Sequence, residues 1–322
     1  MIFSKQIGNF YKRTLFNRQD PDGSVYYFSH KDFDGLSAEP FSFTTPASDL
    51  LKGNIYYYRD FIPGKLVVFD HGMGNGHRAY MREIETLCRH GYRVLSYDHT
   101  GCNSSEGQGI RGLSGSLYDL DACISAIKST EAFSDLDIYV VGHSWGAFSA
   151  MNIPAYHPSV KAVVAMSGFS SVSEMLRQVF PKFLAPWRSS ALQVEADMNP
   201  DHFGALATEN LKDTPTRVLF IHSTDDSTAS YTMHFEKLRQ ALSRNANVSF
   251  LTVEGKDHNP NYTIDAVKYK NEFFRDLTYR KKKKKLQSDE QKSAFVSSYD
   301  FYRMTEQDME LWQKIFDFLD KE

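Results

Sequence analysis

The stretch of sequence that decides the fold is Ile138-Tyr139-Val140-Val141-Gly142-His143-Ser144-Trp145-Gly146-Ala147. Its first four residues are an apolar run typical of a buried strand, and a Gly-x-Ser-x-Gly pattern follows directly before a predicted helix. A serine in so tight a strand-to-helix turn needs a positive φ, and the residues two positions away must lack side chains. Gly142 and Gly146 occupy those positions. The stretch therefore predicts that Ser144 is presented as a nucleophile.

Similar apolar runs recur on both sides of this stretch, with helix-like segments between them. The runs cover residues 66–69, 93–97, 138–141, 162–165, 218–221 and 248–253. Apolarity that is continuous rather than alternating indicates strands covered on both faces, as in a parallel sheet. Residues 80–89, 117–128 and 231–242 carry apolar side chains at helical spacing. The pattern predicts the α/β class, with a mostly parallel central sheet and helices on both faces.

The segment before the first of these runs has a different character. It contains short aromatic stretches separated by Gly, Pro and Asp, at residues 25–28, 41–43 and 55–58. Aromatic, partly alternating stretches favour antiparallel strands. We therefore predict that residues 1–63 contain an antiparallel hairpin or meander that leads into the parallel sheet.

Two interruptions and a last helix complete the predicted organisation of a single domain, residues 1–322. Residues 169–213 break the alternation of strands and helices and form an insertion at the edge of the sheet. Residues 278–300 form a polar, lysine-rich insertion. An amphipathic helix is predicted at 305–320.

A serine nucleophile needs two partners, and the chain supplies both in the expected order. A histidine removes the serine proton, and an acid orients the histidine. In a scaffold with this turn, the acid follows a late strand and the histidine follows the next one. The last two predicted strands lead to Asp225-Asp226 and to His258. We predict Ser144, Asp226 and His258 as catalytic residues, with Asp225 as the alternative acid.

The oxyanion formed by attack on a carbonyl needs backbone N–H donors. One predicted donor is the N–H of Trp145, directly after the serine. The other is expected in the loop after the third strand, where His71-Gly72-Met73-Gly74 follows Asp70. The two glycines let the backbone approach the substrate closely, which leaves the N–H of Met73 as the second donor.

These motifs resemble those of the α/β-hydrolase superfamily, and within it the serine aminopeptidase and monoacylglycerol lipase-like group. The resemblance begins at His71 with HGMGNGHRAYMREIETLCRHGYRVLSYDHTGCNSSEGQG and resumes at GHSWGAFSA, VLFIHSTDDS and VEGKDHN. It implies the α/β-hydrolase fold, with residues 169–213 as a short cap after the sixth strand, and it implies the same triad and oxyanion residues. In one departure, Asn103 stands where relatives usually carry a second glycine, and asparagine tolerates left-handed backbone geometry.

The motifs and the resemblance together predict a serine hydrolase that cleaves a carboxylic ester of a small or lipid-like acyl substrate through an acyl-enzyme, with no metal and no organic cofactor. An aminopeptidase or amidase that uses the same residues is the alternative. In that case Glu174, Glu195 and Asp197 are candidates to bind a peptide amino group. A non-catalytic binding protein on the same fold is a further alternative.

Five histidines outside the triad are interpreted as hydrogen-bonded residues of the scaffold, because no cluster has the spacing of metal ligands. They are His71, His99, His143, His157 and His222.

Composition narrows the class, the partners and the compartment. The 322 residues are 41% hydrophobic and 24% charged, which excludes disordered and fibrous classes. A net charge of −3 gives no indication of a nucleic-acid partner. Three cysteines without a Cys-x-x-Cys pair, no signal-peptide pattern and no membrane-length apolar run predict a cytoplasmic protein.

The positive charge is unevenly distributed along the chain. One run holds six of the 37 basic residues, namely Arg280, Lys281, Lys282, Lys283, Lys284 and Lys285. Such a run is typical of a solvated loop, and the sharper hypothesis is a weak contact with anionic membrane lipid near the substrate.

Overall fold

The computed structural model describes residues 2–74 and 76–321, and an eight-stranded sheet lies at its centre. The strands are β1 (Ser37–Thr44), β2 (Leu50–Tyr57), β3 (Lys65–Asp70), β4 (Arg93–Tyr97), β5 (Asp137–His143), β6 (Ala162–Met166), β7 (Arg217–Ser223) and β8 (Val248–Val253). Their order across the sheet is β1-β2-β4-β3-β5-β6-β7-β8. Strands β3 to β8 are parallel, while β2 pairs antiparallel with both β1 and β4. The predicted mostly parallel α/β sheet is confirmed.

Helices cover both faces of this sheet. They are α1 (Ile2–Leu15), α2 (Met81–Arg89), α3 (Gly115–Ser129), α4 (Trp145–Asn152), α5 (Val172–Val179), α6 (Ala185–Met198), α7 (Pro200–Phe203), α8 (Ala207–Asn210), α9 (Glu236–Ala241), α10 (Ile264–Lys282), α11 (Asp289–Val296), α12 (Phe301–Met304) and α13 (Met309–Leu319). Short 3-10 helices lie at His30–Asp32, His77–Tyr80, Ile153–Ala155 and Lys182–Leu184, and one turn of π-helix at Tyr231–Phe235 precedes α9. In the ranges described, no helix combines the length and the apolarity needed to cross a membrane.

The continuous apolar runs are explained by two cores, one on each face of the sheet. Along β5, Ile138 and Val140 face the core that contains α3, α4 and α9. Tyr139 and Val141 face the core that contains α2, α10 and α13. Because successive side chains of a strand point to opposite faces, a strand between two cores is apolar at every position.

The predicted N-terminal hairpin is formed by β1 and β2, but the prediction of a strand at residues 25–28 is wrong. Those residues are irregular, and their rings pack against the helices near the C-terminus. Ring centroids are 5.6 Å apart between Tyr26 and Phe301, and 4.7 Å apart between Phe28 and Tyr302. The aromatic pattern there reflects side-chain packing and not strand pairing. Helix α1, which lies earlier in the same segment, was not predicted.

The insertion between β6 and β7 consists of the helices α5 to α8, which we call the cap. Its first helix starts where the side chain of Ser171 accepts a hydrogen bond from the backbone N–H of Glu174, an N-cap that stabilises the first turn. The expectation that the lysine run at 280–285 is a solvated loop is wrong for its first three residues. Helix α10 continues through Arg280–Lys282, and α11 follows after a short turn. Leu286 and Phe295 in this segment are buried, which anchors it to the body of the protein.

Candidate active site

Ser144 lies at the sharp turn between β5 and α4, as the sequence predicts. Its backbone has φ 56° and ψ −113°, a conformation that residues with side chains rarely adopt. A Cβ atom on Gly142 would lie 2.2 Å from the carbonyl oxygen of Gly146. A Cβ atom on Gly146 would lie 2.0 Å from the carbonyl oxygen of Asp70. Both positions therefore require glycine.

The three predicted catalytic side chains lie in one hydrogen-bonded row. Nε2 of His258 is 2.8 Å from Oγ of Ser144. Nδ1 of His258 is 3.0 and 2.9 Å from the two carboxylate oxygens of Asp226. Because an ionised carboxylate only accepts hydrogen bonds, Nδ1 carries the ring proton and Nε2 faces the serine hydroxyl as an acceptor. The row is arranged for transfer of the serine proton to the imidazole.

The carboxylate of Asp226 is buried and held in its ionised form. It accepts hydrogen bonds from the backbone N–H groups of Thr228 and Ala229, each at 2.8 Å. Burial opposes its negative charge, but hydrogen bonds from His222 and His258 outweigh burial and keep the pKa of Asp226 below its ordinary value. The charge that orients His258 is therefore retained over a wide pH range.

The carboxylates of Asp225 and Asp257, which neighbour Asp226 and His258 in the sequence, have other hydrogen-bond partners. Asp225, the alternative acid, accepts hydrogen bonds from the hydroxyl of Ser223 at 2.5 Å and from the backbone N–H of Asp257 at 3.3 Å. The carboxylate of Asp257 in turn accepts from the backbone and the hydroxyl of Ser227. Of the two candidate acids, Asp226 is the one whose carboxylate contacts His258.

His143, directly before the serine, connects β5 to the backbone of His258. Nε2 of His143 lies 2.7 Å from the carbonyl oxygen of His258, and Nδ1 lies 3.0 Å from the hydroxyl of Tyr80. Burial and the neighbouring His258 lower the pKa of His143 to about 3, so the ring is neutral. Since a carbonyl oxygen only accepts, Nε2 carries the proton and Nδ1 accepts from Tyr80. No pattern in the sequence indicates the contact of Tyr80 with His143, because the two residues are 63 positions apart.

Two buried histidines hold the loop that contains Met73. Nδ1 of His71 lies 2.7 Å from the carbonyl oxygen of Gly72, and Nε2 of His71 accepts from the backbone N–H of His99 at 3.2 Å. Burial works against a charge on His99, but Asp70 and Asp119 raise its pKa to about 10. The charged ring packs against the indole of Trp145, with centroids 4.7 Å apart. The hydrogen bond between His71 and His99 and the packing of His99 on Trp145 therefore connect the His71 loop to the turn at Ser144.

The five histidines expected to be scaffold residues all have hydrogen-bond partners, which confirms that part of the interpretation. Besides the three above, Nε2 of His157 contacts Asp121 at 2.8 Å, and Nε2 of His222 contacts the carbonyl oxygen of Ala229 at 2.8 Å. Asn103, the residue that departs from the glycine pattern, has φ 41° and adopts the left-handed geometry expected of it.

An apolar cavity of about 230 Å³ opens beside Ser144 and His258, and we call it the acyl cavity. Its remaining described walls are Tyr11, Phe16, Met73, Leu113, Trp145, Phe169, Met175, Leu176, Val179, Thr228 and Ala229. Neither a carboxylate nor a lysine or arginine is among these described wall residues. The predicted oxyanion donors, Met73 and Trp145, both line the cavity. Pockets for drug-sized ligands usually measure ~300–1,000 Å³, so this cavity suits a small apolar group.

Glu195 of the cap, which the sequence suggested as a ligand for a peptide amino group, is fully buried and fastens the cap to two other segments. It accepts a hydrogen bond from the hydroxyl of Tyr11 in α1 at 2.8 Å, and its two oxygens lie 3.0 and 2.9 Å from the backbone N–H of Leu113. The carbonyl oxygen of Leu113 accepts from the indole N–H of Trp145 at 2.7 Å. Burial raises the pKa of Glu195 to about 7.

The other two acidic residues suggested for that role are also engaged elsewhere. Glu174 pairs with Lys237 at 2.7 Å and with Arg177 at 3.2 Å. Asp197 accepts a hydrogen bond from Gln193 at 2.8 Å. None of the three acids lines the acyl cavity.

The parallel sheet, the serine turn between β5 and α4 and the polar row behind it define a hydrolase on an α/β fold. A family model described as the alpha/beta hydrolase fold matches residues 65–300. The match covers well over half of the chain, so the chain belongs to the α/β-hydrolase family, as the sequence motifs imply.

Curated relatives with named activities match parts of the chain. The esterase YjfP of Escherichia coli (strain K12) is 26% identical over 200 residues, which is 59% of this chain and 79% of that protein. An epoxide hydrolase of Caballeronia sordidicola is 30% identical over 125 residues, 36% of each chain. A proline iminopeptidase of Saccharolobus solfataricus is 28% identical over 131 residues, 39% of this chain and 41% of that protein. The matched region thus spans less than half the length of the last two relatives.

Among solved structures, an esterase of Pyrococcus furiosus superposes with a TM-score of 0.60 at 20% identity. The superposition covers 83% of this chain and 98% of the esterase. At this identity the similarity shows the fold alone.

Proposed function

We propose that the protein is a serine hydrolase that cleaves carboxylic esters with a small apolar acyl group. The observation that carries the proposal is the row Asp226–His258–Ser144, which ends at the wall of an apolar cavity. Similarity to an esterase over 59% of the chain supports the same reaction class.

In this proposal the reaction passes through an acyl-enzyme. Nε2 of His258 accepts the proton of Ser144 while the serine oxygen attacks the ester carbonyl carbon. The backbone N–H groups of Met73 and Trp145 stabilise the oxyanion, and loss of one such donor typically costs ~3 kcal/mol of transition-state stabilisation. The bond to the alcohol oxygen then breaks, and His258 gives its proton to the leaving alcohol. Water attacks the acyl-enzyme by the same route, which releases the acid and restores Ser144.

The acyl cavity favours an ester over a peptide with a free amino terminus. An ammonium group taken out of water needs a carboxylate partner, and the described walls of the acyl cavity offer none. Aminopeptidase or amidase activity is the second candidate, because the chain is similar to a proline iminopeptidase over 39% of its length. Turnover of phenyl butanoate and of proline anilide by the same preparation distinguishes the two, and faster turnover of the anilide would favour the peptidase.

The proposal is tested with Ser144→Ala, using Ser125→Ala on the exposed face of α3 as a matched control. We expect Ser144→Ala to lower kcat for phenyl butanoate by roughly 10⁴–10⁶-fold. It should also abolish covalent labelling by a fluorophosphonate, whereas Ser125→Ala should behave like the wild type. Ester turnover that survives in Ser144→Ala would refute the mechanism.

A further inference from the structure

A second cavity, of about 280 Å³, borders the loop that carries Met73. Met73 lines both cavities, and Gly72 and Gly74 line the second one. A Cβ atom on Gly72 would lie 3.2 Å from Cβ of Ser144, so Gly72, in the wall of the second cavity, lies beside the proposed nucleophile. Met73, whose backbone N–H is a proposed oxyanion donor, therefore borders both cavities.

The second cavity differs from the acyl cavity in charge. Arg78 and Lys270 line it, together with aromatic rings that include Tyr27 and Tyr262. Nζ of Lys270 donates to the side-chain oxygen of Asn259 at 2.6 Å and lies 4.8 Å from the ring centroid of Tyr262. Arg78 donates to the carbonyl oxygens of Tyr27 and Phe28 at 3.1 and 3.2 Å, which leaves it without a negatively charged partner.

Neither cation is neutralised by an ion pair. Within residues 2–74 and 76–321, no carboxylate oxygen lies within 4.0 Å of Arg78 or Lys270. Glu83 and Asp257 act on Lys270 only at longer range, and burial lowers the pKa of Lys270 to about 8 despite them. A part-buried ammonium group whose partners are a neutral amide and an aromatic ring gains most from an added anion.

We propose that the second cavity binds the alcohol part of the substrate, and that this part is an apolar or aromatic group carrying a carboxylate or another anionic group held by Lys270 and Arg78. The proposal rests on the proposed ester hydrolysis. An ester held at Ser144 has two arms, and the uncharged acyl cavity accepts one of them. The other arm then meets the cationic, aromatic cavity beyond Met73. Lys270 is on this view a specificity-determining residue.

The experiment compares two esters of the same acid, phenyl butanoate and 3-carboxyphenyl butanoate. For the wild type we expect kcat/KM to be about tenfold higher for the carboxylated ester. In Lys270→Met this ratio should fall to about one, and Arg78→Gln, which changes an exposed side chain, should lower it in the same direction. Lys268→Met on the exposed side of α10 is the matched control and should keep the wild-type ratio.

Two results would overturn the proposal. One is a wild-type ratio near one, and the other is an unchanged ratio in both Lys270→Met and Arg78→Gln. Calorimetric binding of 3-hydroxybenzoate, the alcohol product, separates this inference from the proposed function because it needs no turnover. Binding by the wild type that weakens about tenfold in Lys270→Met supports the site even if neither ester is cleaved. No binding by the wild type refutes the site even if both esters are cleaved.

Discussion

Replacement of Glu195 by glutamine should change how the stability of the protein depends on pH. Burial raises the pKa of Glu195 to about 7 in the folded protein, against 4.5 for an ordinary glutamate. Between these values the folded state holds a proton that the unfolded state has released, so stability falls as the pH rises. With ~1.4 kcal/mol for each pH unit in this window, the wild type should lose about 2–3 kcal/mol of unfolding free energy through Glu195 between pH 5 and pH 8.

Other buried groups also titrate, so the pH dependence of wild-type stability does not by itself report on Glu195. Burial lowers the pKa of His143 to about 3 and that of His234 to about 4, so these rings gain a proton on unfolding and their contribution to stability rises with pH. Glu195→Gln leaves them in place, so the difference between variant and wild type at each pH isolates Glu195. The glutamine keeps the size of the side chain and an oxygen that accepts from the N–H of Leu113.

Urea unfolding followed by tryptophan fluorescence at pH 5 and pH 8 measures this difference. We expect Glu195→Gln to gain about 2–3 kcal/mol relative to the wild type on going from pH 5 to pH 8. If the variant and the wild type differ by the same amount at both pH values, Glu195 does not titrate in this range. That result would contradict a pKa of Glu195 that burial raises.

Three further changes test other contacts. Tyr80→Phe removes the hydroxyl that donates a hydrogen bond to His143, and we expect kcat for phenyl butanoate to fall about tenfold with KM unchanged. If the variant keeps the kcat of the wild type, His143 does not depend on this hydrogen bond. Gly146→Ala would place a methyl group 2.0 Å from the carbonyl oxygen of Asp70, so the Tm should fall by more than about 10 °C in a thermal melt, and an unchanged Tm would contradict the geometry. Changing residues 282–285 to glutamine should weaken co-sedimentation with phosphatidylserine vesicles, because these exposed lysines have no carboxylate within 4.0 Å in the described part of the chain and each contributes ~1 kcal/mol near an anionic surface. Equal co-sedimentation of both proteins would exclude the membrane contact.

The parts of the fold that the sequence predicts are those set by local chemistry. An apolar run before Gly142 identifies β5 because a strand between two cores must be apolar throughout. The strained turn at Ser144 can be predicted from Gly142 and Gly146, because backbone atoms occupy the positions that their side chains would need. The order of the last strands predicts the positions of Asp225-Asp226 and His258, and the hydrogen bonds to His258 distinguish Asp226 from Asp225.

The parts that the sequence does not predict depend on contacts between distant residues. Glu195 looks like a solvent-facing acid until its partner Tyr11, 184 residues earlier, is placed beside it. Residues 25–28 have the composition of a strand, but Tyr26 and Phe28 pack against the rings of Phe301 and Tyr302 in α12. In the lysine-rich run, the first residues continue α10, and Lys281 pairs with Asp22 at 2.6 Å. Composition indicates the positive charge of the run, but it does not indicate that Asp22 is the partner of Lys281.

The contact between Tyr11 and Glu195 also sets the order in which the molecule can be completed during synthesis. Tyr11 leaves the ribosome before the cap, and Glu195 follows 184 residues later. At ~5–20 residues per second, roughly 10–40 s pass before the cap that receives α1 has been made. Tyr11 and Phe16, which line the acyl cavity, are without the cap for that time. Because Thr228, Ala229 and His258 also line the acyl cavity, its described walls are complete only after the chain has been made as far as His258.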